Sequence, residues 1–187
     1  EAKKRAFADR ERFGTDPRFG EIPLARILSD AHADAQAASI SMTQASTVDL
    51  DVPMAAGDTT YFCVVDAQGN CVSGIQSLNS GYGSGVTAGD TGILLNNRMA
   101  YWHLAPGHAN RLVPGKRVRH TMNAPMVFKD GKLWAALGTP GADNQVQVNT
   151  QVLTAMIDLG ADPHHGLAEA IEFGERLALR GLHHQRA

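Results

Sequence analysis

Charge of a single sign is missing from this sequence. Its 187 residues carry 17 basic and 19 acidic side chains, mixed along the chain, for a formal net charge of −2. No long basic run occurs, which argues against a nucleic-acid or anionic-membrane partner. No apolar run reaches the roughly 20 residues that cross a bilayer. Aromatic residues are scarce at 6% while glycine is abundant at 19 residues, a balance suited to small-residue α/β packing rather than a coiled coil. The only cysteines, Cys63 and Cys71, are too few to fix the redox compartment and read as small apolar strand residues. The length suffices for one domain with a sizeable core. "EAKKRAFADRERFG" reads like the middle of something longer, so the compartment (periplasmic or secreted against cytoplasmic) stays open.

What is present is a change of texture along the chain. Residues 2–13 carry mixed charge around Ala6 and Phe7 and read as the end of a helix closed by Gly14. "TDPRFGEIP" is turn material, and residues 23–40 hold a short helix start and an Ala-rich helical stretch. Residues 41–58 read as a polar, irregular surface linker. From Thr59 the pattern is β-rich, with "TTYFCVVD" and "NCVSGIQSL" separated by "AQG". A three-residue hairpin loop needs one residue in the left-handed region, and Gly69 supplies it. Pairing Asp66 with Asn70 then places Val65 opposite Cys71, Val64 opposite Val72, Cys63 opposite Ser73 and Thr59 opposite Ser77. Cys63 and Cys71 fall diagonally, so a disulfide between them needs unusual geometry.

The Gly-rich loop "SGYGSGVTAGDTG" leads into the apolar, strand-like run "ILLNN". "APMVFKDGKLWAALG" is a second hairpin turning at Asp130-Gly131. "TPGADNQVQVNTQVLTAMIDLG" is a tight turn into a helix, with Asp143 at its start and Gly160 at its end. Val146, Val148, Val152, Leu153, Met156 and Ile157 are expected on its buried side. Pro163 opens a further helix over "HHGLAEAIEF". Helices, then some four antiparallel strands, then helices predict a layered α/β domain with hairpins at its centre.

Three features could carry chemistry. The Gly-rich loop lacks the Gly-Lys-Ser/Thr and following helix of a phosphate cradle, which argues against a nucleotide. The adjacent pairs His164-His165 and His183-His184 point in different directions on a helix, and no ligand-spaced His or Cys accompanies them, which argues against a metal. Thr59, straight after Gly57-Asp58, is either an ordinary β-branched strand start or a nucleophile. A hydroxyl needs a base, and the α-amine of a chain-terminal threonine, with an ordinary pKa near ~8, can serve. Thr59 is internal, so that chemistry requires the chain to cut its own Asp58-Thr59 bond first.

The segment "GDTTYFCVVDAQGNCVSGIQSLNSGYGSGVTAGDTGILLNNRM" resembles the start of the small subunit of the γ-glutamyltransferases (γ-glutamyltranspeptidases). The likeness continues through "RHTMNAPMVFKDGKLWAALGTPGADNQ" to about residue 170, and "ADRERFGTDPRFGEIP" resembles the end of the family's large subunit. The resemblance implies an α+β fold, the αββα sandwich of N-terminal-nucleophile hydrolases, here as a partial chain. Residues 1–58 then end the large-subunit region and linker, and residues 59–187 form a small, catalytic region that looks incomplete after about residue 172. The resemblance also implies autocleavage between Asp58 and Thr59, Thr59 as nucleophile, and Ser77 as the hydroxyl hydrogen-bonded to it. Gly141 and Ala142 match the oxyanion hole, although Pro140-Gly141 by itself is an ordinary helix-start turn. Asn79, His120 and Thr121 match residues that contact the carboxylate of the bound acyl group. No cofactor or metal is implied. The expected partners are a small γ-glutamyl or related amide and the large-subunit region of the same precursor, with a homo-oligomer left open.

Two positions depart from the family pattern. Arg98 stands where the better-known transpeptidases carry Gln, Glu or Asn, and Tyr101 where they carry Asp, groups that hold the α-ammonium of a γ-glutamyl substrate. "GTPGADNQ" also replaces a Gly-Ser-Pro-Gly-Gly pattern. Arg98 either anchors the carboxylate of a substrate without an α-amine or is a salt-bridged or exposed residue. The expected function is that of a γ-glutamyl hydrolase or transferase-like enzyme, with hydrolysis ahead of transpeptidation. The alternatives are an acylase for a glutaryl-like amide and a non-cleaving, non-catalytic family member.

Overall fold

Helix α1 (Ala2–Phe13) ends where Gly14 donates its N–H to Arg10 O at 2.7 Å, the stop that the sequence predicts. The computed structural model describes residues 1–47 and 57–162. Phe7 is the buried residue of α1, with the Lys3 ammonium and Arg10 guanidinium lying over its ring. The Ala-rich stretch divides into α2 (Leu24–Ile27) and α3 (Asp30–Ala38). Ser29 separates them because its Oγ accepts the His32 N–H at 3.2 Å, capping α3. The chain forms two units that interleave in sequence: Glu1–Ala55 with Gly83–His120, and Ala56–Tyr82 with Thr121–Ala187.

In the first unit the turn at Asp16 is tied to residues far along the chain. The Asp16 carboxylate is buried and accepts from the backbone N–H groups of Arg18 (3.1 Å) and Arg117 (2.9 Å). The guanidinium groups of the same two arginines approach it at 2.7 and 3.3 Å. These donors hold its pKa far below the ordinary carboxylate range, with Arg18 the largest cause and Arg117 next. The run "ILLNN" is not a strand. It makes an isolated bridge between Leu94 and Thr87, and Leu95 N–H bonds Val86 O at 2.8 Å, folding the run back on the Gly-rich loop. Among the described residues this run has no neighbouring strand, and Ile93 and Leu95 are exposed.

In the second unit β1 (Gly57–Val65) and β2 (Cys71–Ser80) pair antiparallel in the expected register, from Val65 opposite Cys71 to Thr59 opposite Ser77. The turn locks it: Asp66 Oδ1 accepts the N–H groups of Gln68 and Asn70 at 3.0 and 2.8 Å, and Gly69 adopts φ +85°. Both cysteines are free; Cys63 is exposed rather than buried. The second hairpin, β3 (Met126–Lys129) and β4 (Lys132–Ala136), turns at Asp130-Gly131 as expected. Among the described residues the two hairpins form separate two-stranded sheets rather than one central sheet.

Helix α4 (Asn144–Asp158) follows, and its buried face differs from expectation. Gln145, Asn149, Val152 and Ala155 point inward, whereas Val146 and Ile157 are exposed. Of the two amides on this face, Gln145 has a polar partner for its Oε1, described below, whereas the Nε2 of Gln145 and the Nδ2 of Asn149 are buried without one among the described residues. Asp143 holds the N-cap position without a side-chain cap bond, since its own backbone is already helical at φ −68°, ψ −13°. Gly160 follows the helix, and Ala161 N–H closes it on Ala155 O at 3.0 Å. The helix expected after Pro163 and both adjacent histidine pairs lie outside the described residues.

Asp16→Asn is expected to lower the melting temperature at pH 7 by several degrees. Because the folded-state pKa of Asp16 lies below its unfolded value near ~3.9, its stabilisation is present above that pH and lost as pH falls. Thermal melts from pH 7 down to pH 2 should therefore show the gap between wild type and variant closing below about pH 4.

Candidate functional site

The first regular rung of β1–β2 joins Thr59 to Ser77, and the Thr59 hydroxyl donates to Ser77 Oγ at 2.9 Å. Ser77 Oγ also accepts the Asn79 N–H at 2.9 Å. An oxygen that already receives two donors orients Thr59 but is no base for it. The ladder shifts by one residue between Asp58 and Thr59, with Leu78 the extra residue and Asp58 opposite Asn79. Pairing is thus regular up to Thr59 and interrupted at the peptide bond before it. Asn79 takes the strained side of this bulge at φ +79° and is 2% exposed; asparagine tolerates the left-handed region better than most residues.

Gly138 to Ala142 lead into α4. Gly141 has φ +125°, where only glycine is comfortable, and Ala142 has φ +49°. A left-handed alanine costs about 1–2 kcal/mol, so the fold holds this turn against its local preference. Gly141 O accepts Asn144 N–H at 2.9 Å and Ala142 O accepts Gln145 N–H at 3.2 Å, which starts the helix. Among the described residues, the N–H groups of Gly141 and Ala142 donate to no backbone carbonyl. Two donors therefore stand at the positive end of a 15-residue helix, an arrangement that stabilises negative charge.

Sequence reasoning missed Gln145. It is fully buried, and its Oε1 accepts the Asn123 N–H at 2.9 Å while Asn123 Nδ2 donates to Thr121 O at 2.7 Å. This chain of bonds ties the first turn of α4 to the segment carrying Thr121, itself 3% exposed. The available signal was a pair of amides, Gln145 and Asn149, four residues apart on one helix face.

The other candidates belong to the first unit. Arg98 and Tyr101 share a 3-10 turn (Arg98–Tyr101) and are 6% and 1% exposed. The guanidinium groups of Arg98 and Arg119 lie 5.8 and 5.2 Å from the centre of the Tyr101 ring. Asn110, also buried, donates Nδ2 to Tyr101 O and accepts Arg119 N–H through Oδ1 at 3.3 Å, joining the turn to the segment that ends in His120. Arg98 is therefore not an exposed residue but a buried cation, costly unless an anion or aromatic face compensates it. Part of the His120 ring reaches solvent, yet local burial, and after it repulsion from Arg98, pushes its pKa below the ordinary histidine value.

Glu11, His103 and His108 bring potential metal-ligand atoms within 4.8 Å of one another. Their chemistry suits packing better than a cation. The Glu11 carboxylate is engaged by Arg10 at 3.0 Å and Arg119 at 3.1 Å. His108 Nδ1 accepts the Asn110 N–H at 3.0 Å, so the neutral ring carries its proton on Nε2, and the ring stacks on His103 at 3.6 Å.

Residues 1–178 match the family described as Gamma-glutamyltranspeptidase. The chain is 43% identical over 169 residues to the glutathione hydrolase-like YwrD proenzyme of Bacillus subtilis (strain 168), covering 90% of this chain and 32% of that protein. It is 41% identical over 174 residues to the acylase ACY 1 proenzyme of Pseudomonas sp. (strain V22), covering 92% and 30%. The crystal structure of cephalosporin acylase from Bacillus halodurans is similar with a TM-score of 0.76 at 35% identity, covering 86% of this chain and 29% of that one. The chain thus spans about a third of the length of these curated relatives.

An NMR titration of the His120 ring is expected to give a midpoint below the ordinary ~6.5, so that the ring is neutral at pH 7. Arg98→Gln should raise that midpoint without restoring it fully, because burial is the larger cause. A midpoint at or above ~6.5 in the wild type contradicts this electrostatic picture.

Proposed function

Because this chain belongs to the gamma-glutamyltranspeptidase family, we propose that it is the catalytic portion of a γ-glutamyl hydrolase or transferase-like enzyme working through an acyl-enzyme on Thr59. The observation that carries this reading is the 2.9 Å hydrogen bond from the Thr59 hydroxyl to Ser77 Oγ, at the rung next to the register shift between Asp58 and Thr59. Residues 1–58 are read as the end of the large-subunit region and residues 59–187 as small-subunit sequence, joined in the complete precursor as an αββα sandwich. The face of β1–β2 bearing Phe62, Val64 and Val72, all exposed, supports a further covering layer supplied by that precursor.

Maturation and turnover share the Thr59 hydroxyl as nucleophile. In maturation Thr59 Oγ attacks the Asp58 carbonyl carbon, the amide nitrogen leaves as a new α-amine, and water hydrolyses the resulting ester. In turnover the freed amine takes the Thr59 hydroxyl proton as Oγ attacks the acyl carbonyl of the substrate. The Gly141 and Ala142 N–H groups receive the tetrahedral oxyanion. Its collapse breaks the amide bond, and the protonated α-amine gives its proton to the departing nitrogen. Water, or an acceptor amine, then releases the acyl group. Asn79, His120 and Thr121 are assigned to the carboxylate of the acyl group, and no cofactor takes part.

Arg98 favours a second reading at the level of substrate. A buried cation at the position where family members hold an α-ammonium, with Tyr101 against it, suits an acyl group that carries a carboxylate but no amine, such as glutaryl. The acylase names among the relatives agree with this alternative.

Intact-mass analysis of the full-length precursor is expected to give two fragments divided before Thr59, while Thr59→Ala stays whole and loses at least about a thousandfold in kcat/KM. The wild-type kcat/KM should rise with pH along a limb near ~8 as the α-amine deprotonates. A panel of γ-glutamyl and glutaryl anilides separates the substrate readings: turnover confined to the glutaryl compound removes the glutamyl one.

A further inference from the structure

Tyr61 follows Thr59 by two residues on β1, so both side chains leave the same face of the hairpin. Its ring lies directly against Gly138. A Cβ placed on Gly138 would come within 2.2 Å of Tyr61 Cδ2, 2.5 Å of Cε2 and 2.8 Å of Cγ. Cγ is the root of the ring, so rotation about the ring axis cannot clear that space. Gly138 does not have a left-handed backbone, so its missing side chain serves close approach and not an unusual φ. The far end of the ring is held too, with the phenol oxygen 2.9 Å from Ser73 Oγ on β2. Burial pushes the phenol pKa above its ordinary value, keeping it protonated and able to hydrogen-bond.

The two residues sit at the roots of the two halves of the chemistry. Tyr61 stands on the strand of the nucleophile, and Gly138 opens the turn in which Gly141 and Ala142 follow. We propose that the Tyr61 ring and the bare Cα of Gly138 form a spacer that sets the distance from Thr59 Oγ to the Gly141 and Ala142 amides. This makes Tyr61 and Gly138 positioning residues for acyl transfer. The inference rests on Thr59 being the nucleophile. Its physical basis is the short reach of oxyanion donors, which act only within about 2.7–3.1 Å of the developing charge, so that an error near 1 Å costs about a hundredfold. A methyl at Gly138 must push the ring or the turn away, because the Cβ would otherwise sit 2.2–2.8 Å from ring carbons.

The test uses the full-length precursor and whichever anilide the wild type hydrolyses. Gly138→Ala is expected to lower kcat at least about tenfold while KM changes less than about threefold. Tyr61→Leu combined with Gly138→Ala makes room for the methyl and should recover much of the lost kcat, a rescue that general destabilisation would not give. Tyr61→Phe keeps the ring thickness and should stay within about threefold of wild type. A Gly138→Ala kcat within about twofold of wild type, or a double variant no better than Gly138→Ala alone, overturns the spacer. If Gly138→Ala does not fold, Tyr61→Leu decides: it widens the gap and should lower kcat at nearly constant KM, and an unchanged kcat overturns the proposal. A wild type that neither self-cleaves nor turns over removes the Thr59 reading and the spacer with it. An active wild type with an unaffected Gly138→Ala removes the spacer alone.

Discussion

The cross-strand rung between Thr59 and Ser77 is the constraint on which the site depends. Side chains on a strand alternate faces, so a one-residue slip of β1 against β2 would turn Thr59 away from Ser77 and bring Thr60 in its place. What prevents the slip lies at the other end of the hairpin, where Asp66 gathers the Gln68 and Asn70 N–H groups and Gly69 completes the loop. The turn chemistry thus fixes the register, the register fixes the rung, and the bulge beyond it leaves the Asp58–Thr59 bond outside the regular ladder. Thr59 and Thr60 are adjacent and chemically identical, yet only the first meets a hydroxyl across the sheet.

Each of the two units is stiffened by a buried polar residue. In the second unit Gln145 binds the Asn123 backbone and anchors the beginning of α4 behind the Gly141-Ala142 turn. In the first unit Asn110 clamps the Arg98–Tyr101 turn to the Arg119 segment. Asn110 is satisfied at both Nδ2 and Oδ1 and Gln145 at Oε1, and breaking such buried bonds is expensive, which resists movement. Two guanidinium groups lie near the Tyr101 ring, that of Arg119 paired with the Glu11 carboxylate, and His120 is biased against a further positive charge. In the proposed reading Arg98 bears on substrate choice rather than on the nucleophile.

The parts governed by local chemistry were legible in the sequence. Asp66, Gly69 and Asn70 specify a loop, and the loop specifies a register that the structure reproduces as far as Thr59. Asp130-Gly131 and Gly14 are equally local signals, and both are met. The failures come from tertiary context. "ILLNN" has strand-like residues but no partner strand among the described residues, and it folds onto its own loop. The inward face of α4 includes Gln145 and Asn149, and the Asn123 partner of Gln145 is a contact that no helical periodicity reveals. The burial of Arg98 was equally hidden, because a single cation reads the same whether an aromatic ring or water surrounds it. The Tyr61–Gly138 contact joins segments far apart in the chain and leaves no pattern in either. The site residues themselves came largely from family likeness, with the Thr59–Ser77 pairing the part that physical reasoning reached independently.

The most direct measurement is to quench the full-length protein during turnover of a slowly deacylating substrate and locate the covalent adduct by tandem mass spectrometry. The expected adduct is an acyl ester on the side-chain oxygen of Thr59, in a peptide that begins with that residue. An adduct on Ser77 or any other side chain, or turnover with Thr59 still joined to Asp58, would contradict it.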